Sequence, residues 1–597
     1  MLTRASRSRV PVTQTENYPA PSGGWVQSGN IVTAKPNQAE RLDNFIPTAQ
    51  GARLRGGAQE YCDVGAAVVQ LFTYNSGGNN DLLAATADSI FDAYRLVGGS
   101  NAYAEAEGFA SGDWSATQIS TSGGQFTIAV NGSDYMQYWD GTEFNPVTDE
   151  QIEELGFDAE TAAFAVGETL TGGTSGATAE IIGIKKTSAT AGALKLGAIT
   201  GTFQDDETIT DSATGSATVD GTSSTASTVT LTNVATTALS QVWLFKERLF
   251  FVEKDTTSVW YLPVESIGGA ATEIDLGSIF QKGGSVLFGA TWSLDSGSGL
   301  DDVCLFVTDQ GEVAVYEGTN PANASTWSLV GVYDIGLPLN KHGFFKAGGD
   351  LAILTEDGII PVSEALKKDR AALQTVAISY PIEDAWRDGV SGATASHPVS
   401  VTLWQSRTFL LIGTPLLDGN KYVSYVANAR TGAWGRVTGW DVRCSAVAQD
   451  QLYFGNSNGK VLKADTGGDD DGSAYTAEYV PKFSYSDVMR TANFASLTYR
   501  ASEEVDFNLY AHADYVIDPM TPPQPIDIYD DSAWGTGIWG TFVWGAGEAT
   551  SSFTARQAVR ASGYALAPGL SITSNRTGFP SFELLSMRLR AESGYAL

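Results

Sequence analysis

The sequence is poor in the residues that most catalytic and metal sites need. In 597 residues it has only three histidines and three cysteines, namely His342, His397, His512, Cys62, Cys304 and Cys444. No pair of them has the spacing of a metal-ligand motif. The cysteines are odd in number, widely spaced and close to apolar runs, which argues against a disulfide framework. We therefore expect no metal site, no cofactor and folding in a reducing cytoplasm.

Long apolar runs and phosphate-binding loops are also missing. No stretch of about 18 apolar residues occurs, so no segment is predicted to span a membrane. The basic start, residues 1–9, lacks the apolar core of a secretory signal and is interpreted as a flexible tail, with a docking arm as the alternative. No Gly-Lys-Ser/Thr loop occurs, which argues against an NTPase. The members of a Ser-His-Asp triad need not be neighbours in sequence, so such a triad stays open, but no pattern indicates one.

Basic residues are scarce relative to acidic ones. The chain has 36 Lys and Arg against 68 Asp and Glu, a net charge of −32. Coating a nucleic-acid backbone needs clustered Lys and Arg, so binding of that kind is not expected. An acidic wall could instead repel phosphate and let a duplex slide past it. Solubility alone is the other explanation of the charge.

What the chain has in quantity points to β-structure. It contains 65 glycines, 11% aromatic residues and only 17% charged residues, and it shows no long heptad pattern. This composition favours an all-β protein with many turns. A chain of this length is too long for one ordinary core, so we expect several domains.

Three hairpin-like units occupy the stretch 241–366. Each has two short runs of β-branched and aromatic residues around a turn, and the turns are 246–248, 308–311 and 355–358. Such runs are typical of strands joined by tight turns. Recurrence of one unit at intervals of tens of residues indicates a β-propeller. We predict its first part over 59–157 and its second part over 233–466.

The composition changes abruptly between these two parts. Residues 158–232 are mainly Thr, Ser, Gly and Ala, and they contain a repeat at an offset of 39. Glu168-Thr169-Leu170-Thr171 returns as Glu207-Thr208-Ile209-Thr210, and Phe164 returns as Phe203. We interpret 158–232 as a small inserted two-repeat β module; the alternative is a low-complexity linker. The sequence 148–151 resembles a capping box and predicts a short helix that ends near Leu155.

The two ends of the chain are predicted to form a platform. Residues 1–58 are the N-terminal arm and platform segment, and 467–597 are a β-rich C-terminal platform region. Asp469, Asp470 and Asp471 stand at this boundary, but they lack the Asp-x-Asp-x-Asp-Gly spacing of a calcium loop, so we interpret them as a solvated linker. A Trp-Gly pair recurs with a period of five over 534–545. Such aromatics are core or interface anchors, or a stacking platform for sugars or bases.

One stretch partly resembles a glycosidase signature. Residues 293–297 begin like a sialidase Asp-box, but they continue with Ser298 and Gly299 and lack the Thr-Trp ending. Sugar hydrolysis needs two carboxylates at a defined separation, which a sequence does not show. A Gly-rich surface turn is the better interpretation. No catalytic, cofactor-binding or metal-binding residue is assigned, and we do not expect an enzyme.

Several short stretches resemble one family in their order along the chain. They are Val-Trp-Tyr-Leu-Pro-Val at 259–264 with 267–270 and 275–277, then 308–318 with 325–331, 348–358, 431–434 with 439–440, and 453–467. Together they are similar to the tail nozzle proteins of short-tailed bacteriophages, also called tail tubular protein B. The resemblance covers roughly 25–466 and is densest over 242–366. The insert and the Trp-Gly repeat fit it less well.

The resemblance implies a structural virion protein rather than an enzyme. In that family, propeller-bearing subunits form a homohexameric ring below the adaptor (gatekeeper) ring and the portal. The ring carries the DNA ejection channel and helps to close it, and DNA passes without sequence-specific binding. The expected location is the phage tail tip, after synthesis in the host cytoplasm, with tail fibres or spikes and the host surface as further contacts. The alternatives are a glycan-binding or glycan-degrading β-propeller of the tail, and a trimeric fibre or spike subunit.

Overall fold

A computed structural model describes most of the chain. It covers residues 12–593 except 29–33, 100–102, 296–299, 324, 503–504, 525–550, 576–577 and 579. The structure is 56% strand and 7% helix, and the strands form a β-propeller, a closed barrel and a large platform sheet. The predicted fold class, all-β with a propeller, a small inserted β module and a β-rich platform, is confirmed. The Trp-Gly repeat lies outside the described residues.

Five separate antiparallel sheets are blades of the propeller, counted over the described residues. Blades 2, 3, 4 and 7 have four strands each, and blade 5 has three. Their strands are, for blade 2, Ser115–Thr121, Gly124–Val130, Met136–Trp139 and Phe144–Val147; for blade 3, Leu239–Phe245, Arg248–Glu253, Ser258–Tyr261 and Thr272–Asp275; for blade 4, Val286–Asp295, Leu300–Thr308, Glu312–Gly318 and Trp327–Asp334; for blade 5, Phe344–Ala347, Asp350–Thr355 and Gly358–Pro361; and for blade 7, Cys444–Ala448, Gln451–Gly455, Lys460–Ala464 and Ala58–Asp63.

Two further four-strand meanders complete the ring, each hydrogen-bonded at its outer edge into a larger sheet. Blade 1 consists of Gln70–Ser76, Asn79–Ala85, Ser89–Asp92 and Ala106–Glu107, and blade 6 of Ser400–Trp404, Phe409–Asp418, Lys421–Asn428 and Trp434–Thr438. Each blade contacts the next one in chain order, and blade 7 contacts blade 1. The outer strand of blade 7 comes from the start of the chain, since Ala58–Asp63 pairs with Lys460–Ala464. This pairing between the start and a late part of the chain closes the ring.

The three hairpin units predicted from the sequence are hairpins of blades 3, 4 and 5. In each blade the first strand named above is the innermost one. In blade 3 that strand, Leu239–Phe245, pairs antiparallel with Arg248–Glu253, and Phe245 lies opposite Arg248 next to the turn. The two turn residues, Lys246 and Glu247, both have positive φ. A turn with two positive φ values matches the right-handed twist of paired strands, which explains why two strands meet there so tightly.

The insert is a closed six-stranded barrel, formed within 152–227, a range that the structure describes throughout. Its strands follow the cyclic order Thr169–Gly172, Thr208–Thr210, Ser216–Val219, Ile152–Ala162, Gly192–Thr200 and Thr178–Lys186, and the last pairs with the first. The repeat units face each other, because Thr171 pairs with Thr210. Leu170 and its counterpart Ile209 are both fully buried in the barrel core, in which Phe164 and Phe203 also lie.

The prediction of a short helix that ends near Leu155 is wrong, because this segment is a strand. The barrel strand Ile152–Ala162 begins there and pairs with Gly192–Thr200. Ile152 and Leu155 are fully buried. Burial in a closed barrel overrides the local capping signal, which becomes a turn in which the Thr148 hydroxyl bonds the backbone of Glu150.

The platform is a large mixed sheet built from both ends of the chain. Its long strands include Ser484–Ala501 and Ser551–Ser574, and the others are Val12–Pro19, Ala39–Asp43, Phe45–Pro47, Ala52–Leu54, Tyr475–Pro481, Phe507–Ala513 and Phe582–Ser593. Ala39–Asp43 also pairs in parallel with the outer strand of blade 6, through Asp43 and Arg436. Four short α-helices occur in the described residues, at Ala93–Gly98, Val362–Ala365, Arg370–Leu373 and Glu383–Ser391.

The segment 469–471 is not a solvated linker, contrary to the prediction. Arg55 is fully buried, and its guanidinium donates two hydrogen bonds to Asp470, at 2.8 and 2.6 Å. The same guanidinium stacks on Tyr475, 3.8 Å from the ring centre, and on Trp440 at 4.8 Å. This junction cluster of Arg55, Asp470, Tyr475 and Trp440 connects the platform to the propeller.

Candidate functional site

The innermost strands of the propeller enclose a central cavity of about 480 Å³. Residues from blades 1 to 6 line it, and its polar and charged lining residues include Gln70, Thr117, Lys341, His342 and Lys346. No carboxylate occurs among the described residues that line it. We take this central cavity as the candidate functional site, because concave, partly polar pockets at the middle of a fold are the usual places for ligands.

Side chains and backbone groups tie neighbouring blades together around the cavity. The Gln241 amide of blade 3 donates to the Gly289 carbonyl of blade 4 at 3.1 Å and accepts from the Gly289 N–H, also at 3.1 Å. Thr291 of blade 4 donates to the carbonyl of Leu244 at 2.6 Å. A Cβ at Gly289 would lie 2.3 Å from the Trp243 ring, so only glycine fits at this approach between blades. The cavity wall is therefore closely fixed.

An ion cluster links three blades at one end of the cavity. Asp113 precedes the innermost strand of blade 2, and Lys341 and His342 precede that of blade 5. Lys341 Nζ lies 3.0 Å from Asp113 Oδ2, and His342 Nε2 lies 2.8 Å from Asp113 Oδ1. Lys341 also donates to the carbonyls of Asp113 and Ser240, the latter in blade 3. Blades 2 and 5 are not neighbours in the ring, so these contacts connect opposite parts of it.

The pKa values in this cluster follow from burial and pairing. The side chain of Asp113 is 53% exposed, and desolvation by its neighbours would raise its pKa, but His342 and Lys341 together hold that pKa well below its usual range. Burial lowers the pKa of the Lys341 ammonium, and the charge of Asp113 opposes that shift. Asp113 is therefore ionised at neutral pH and occupied by its two partners.

A second charged group lies at the far end of the innermost strands. Asp302 accepts a hydrogen bond from Ser293 at 2.6 Å and pairs with Lys246 at 3.0 Å. The Ser293 hydrogen bond lowers the pKa of Asp302, and the charges of Lys246 and Lys346 add to the effect. Ser293 belongs to the incomplete Asp-box of the sequence, of which residues 296–297 lie outside the described residues. The hydroxyl of Ser293 donates its hydrogen bond to Asp302 within blade 4.

The three histidines occupy three separate places. His342 is in the ion cluster, whereas His397 lies between blades 6 and 7, 3.1 Å from Asp441 and stacked on Tyr422. His512 is buried in the platform, where Nδ1 accepts a hydrogen bond from the backbone of Asp518. Two of these histidines bond an aspartate, but no serine hydroxyl bonds either ring in the part of the chain that the structure describes. They do not form the triad that the sequence left open.

The cysteines are buried and reduced, and the described residues contain no metal-binding cluster. Cys62, Cys304 and Cys444 are free thiols, and burial raises the pKa of Cys62 and of Cys444 to about 12. Within the described ranges, no group of three or more His, Cys, Asp or Glu side chains could hold a metal ion. No helix among these residues is long and apolar enough to cross a membrane.

The sequence did not predict the cavity or its ion cluster. One signal was available, since Asp113 and the Lys341-His342 pair each stand directly before the innermost strand of a blade. Residues at equivalent positions of different blades meet around the axis of a propeller. Using that signal requires the blade register, which the sequence alone left open.

The similarity of this chain to known proteins is distant. No family model matches the chain, and no curated protein matches it. Among solved structures, the computationally designed Ika8 protein is 11% identical, with a TM-score of 0.31, covering 68% of this chain and 99% of that one. The β-propeller domain of Cps50 (Swd1) from Myceliophteria thermophila is 8% identical, with a TM-score of 0.25 and the same coverage. A putative 6-phosphogluconolactonase from Bacteroides fragilis is 12% identical, with a TM-score of 0.24, covering 59% and 94%. Likenesses this distant say nothing about function.

Proposed function

We propose that this chain is a structural, non-enzymatic subunit of the nozzle of a short phage tail. In this proposal, six copies form a ring that extends the DNA ejection channel below the adaptor ring and helps to gate it. The observation that carries the proposal is the hydrogen-bonded continuity of the molecule. Blade 6 continues into the platform through Asp43 and Arg436, and blade 1 continues into the barrel through Glu107 and Ile184. The propeller and the platform, which share a sheet in this way, suit a stiff wall, and the barrel is attached to that wall at blade 1.

The stretches that resemble the nozzle family belong to that wall. Val259 lies in the third strand of blade 3, Leu354 in the second strand of blade 5 and Trp434 in the outer strand of blade 6, and all three are fully buried. Buried strand residues maintain a shape rather than contact a substrate. This placement favours an architectural role over the glycan-degrading alternative.

The acidity of the chain has a role in this proposal. With a net charge of −32 per copy, a ring whose acidic surface faces its lumen repels phosphate, so DNA passes without sequence-specific binding. The partners in the virion are the adaptor and portal proteins and the tail fibres or spikes, and the location is the tail tip. A closed ring requires a heterologous interface whose rotation closes after six copies.

Electron microscopy tests the proposal. Antibodies raised against the purified chain and coupled to gold should label the distal end of a short tail in particles made from the genome that encodes it. Mass measurement of the tail complex should give six copies. Labelling of extended fibres together with three copies per complex would favour the fibre or spike alternative and overturn the proposal. Release of sugars from a polysaccharide by the purified chain would overturn the non-enzymatic assignment.

The barrel can be tested separately, because its two ends meet. Thr148 and Thr230 form a parallel bridge, and the N–H of Leu231 donates to the carbonyl of Thr148 at 2.8 Å. A deletion of 150–228 can therefore be closed with a short linker. We expect particles with this deletion to assemble normally and to differ only in adsorption to the host. Failure of assembly would show that the barrel is part of the ring.

A further inference from the structure

The charge of the central cavity is opposite to that of the chain. Acidic residues outnumber basic ones by 68 to 36 in the whole sequence. The ionisable side chains that line the cavity are nevertheless Lys341, His342 and Lys346, and no described lining residue is acidic. A cationic lining in an acidic protein concentrates anions locally.

The ion cluster accounts for only part of this positive charge. Asp113 bonds both Lys341 and His342 and so neutralises that end of the cavity. The ammonium of Lys346 makes no hydrogen bond to any residue that the structure describes, and its side chain is exposed. The side-chain amide of Gln70 in blade 1 and the hydroxyl of Thr117 in blade 2 likewise make no hydrogen bond to a described residue, and both side chains are half-buried. Three groups that can donate hydrogen bonds thus line one space without a hydrogen-bond partner among the described residues; the charge of Lys346 acts only at longer range on Asp302, which Lys246 pairs.

The size and the apolar part of the lining suit a small molecule. A volume of about 480 Å³ lies within the range of small-molecule sites, roughly 300–1,000 Å³. Phe72 and Phe344 contribute apolar surface, and Phe344 is held by stacking on Phe288 with ring centres 4.8 Å apart. The space is far too small for a nucleic-acid duplex, whose major groove alone is about 12 Å wide and 8.5 Å deep.

We infer that the central cavity binds a small organic anion of about the size of a monosaccharide, carrying a carboxylate or a phosphate. Lys346 is the charge partner of its anionic group, and Gln70 and Thr117 donate hydrogen bonds to it. A cation is disfavoured because both carboxylates near the cavity are already paired, Asp113 with Lys341 and His342, and Asp302 with Lys246. This inference goes beyond the proposed function and does not depend on it.

Calorimetric titration of the full chain tests the site. The probes are glucuronic acid and glucose 6-phosphate, with glucose as the neutral control of the same shape. We expect both anions to bind and glucose to bind at least about tenfold more weakly, because hydrogen bonds to charged groups contribute that much. The more tightly bound of the two anions identifies carboxylate or phosphate as the preferred group.

Two variants locate the binding. Lys346→Gln should weaken binding of the preferred anion about tenfold or more. The control is Lys421→Gln, which should leave binding unchanged, because Lys421 is exposed at the turn between the second and third strands of blade 6 and does not line the cavity. Gln70→Ala should weaken it severalfold, and unchanged thermal unfolding will show that each variant is folded. Equal binding of glucose and the anions, equal affinity of the two lysine variants, or no binding at about 10 mM probe would each overturn the inference.

Discussion

The junction cluster around Arg55 gives the sharpest prediction about stability. The guanidinium of Arg55 has five N–H donors, and it donates five hydrogen bonds. They run to Asn44 at 2.8 Å, to the carbonyls of Gly56 at 2.8 Å and Thr438 at 3.3 Å, and to the two oxygens of Asp470 at 2.8 and 2.6 Å. Arg55 is fully buried, so water cannot replace a lost partner. Changing Asp470 therefore removes the main countercharge of a buried guanidinium, on which Asp465 acts more weakly.

Asp470→Asn keeps the size of the side chain and removes its charge. We expect it to lower the free energy of unfolding by about 3–5 kcal/mol, the usual cost of breaking a buried ion pair from one side. Arg55→Met should cost less, because Asp470 is 16% exposed and can regain water. The double variant should cost less than the sum of the two single variants, since neither charge is then left alone.

Urea unfolding followed by tryptophan fluorescence measures these differences, since Trp440 lies in the cluster and its indole donates to Asp470 at 3.0 Å. The control is Asp384→Asn in the exposed pair with Arg387, which should change stability by less than about 0.5 kcal/mol. The reasoning is refuted if Asp470→Asn behaves like this control. Strict additivity of the two single variants would refute it equally.

Three further predictions concern the ion cluster, the barrel and the cysteines. The pKa of Asp113 is lower in the folded than in the unfolded chain, so its pairing stabilises the fold above pH ~4 and is lost as the pH falls below that value. Unfolding midpoints of the wild type and of Asp113→Asn measured between pH 6 and pH 2 should therefore converge at the acid end, and a constant difference would contradict this. Leu170→Ala and Ile209→Ala remove equivalent buried side chains of the barrel repeat, so each should cost about 2–5 kcal/mol; calorimetry should show similar losses, and a cost in only one repeat would refute the equivalence. The thiols of Cys62, Cys304 and Cys444 are buried with raised pKa values, so a thiol reagent at pH 8 should modify none of them in the native chain and all three in urea; rapid native labelling would show that a blade opens.

The sequence was informative about most features that have a local signal. Short runs of β-branched and aromatic residues around a turn located the hairpins of blades 3, 4 and 5, because strand propensity and turn chemistry depend only on near neighbours. The repeat of 39 residues located paired strands of the barrel for the same reason. The local signal failed at 148–155, where a capping pattern indicated a helix and the barrel buries Leu155 in a strand.

Contacts between distant residues were decided only by the tertiary structure. Asp113 meets His342 across 229 positions, and Arg55 meets Asp470 across 415. Neither pair has a spacing that distinguishes it from other Asp, His and Arg residues in the chain, because such pairs depend on blade order and on closure by the N-terminal strand. By itself, the sequence determined the β-class, the hairpins and the repeated insert, which follow from local side-chain patterns. The barrel closure, the ring of blades, the cationic cavity and the junction cluster required the fold, since only folding brings their residues together.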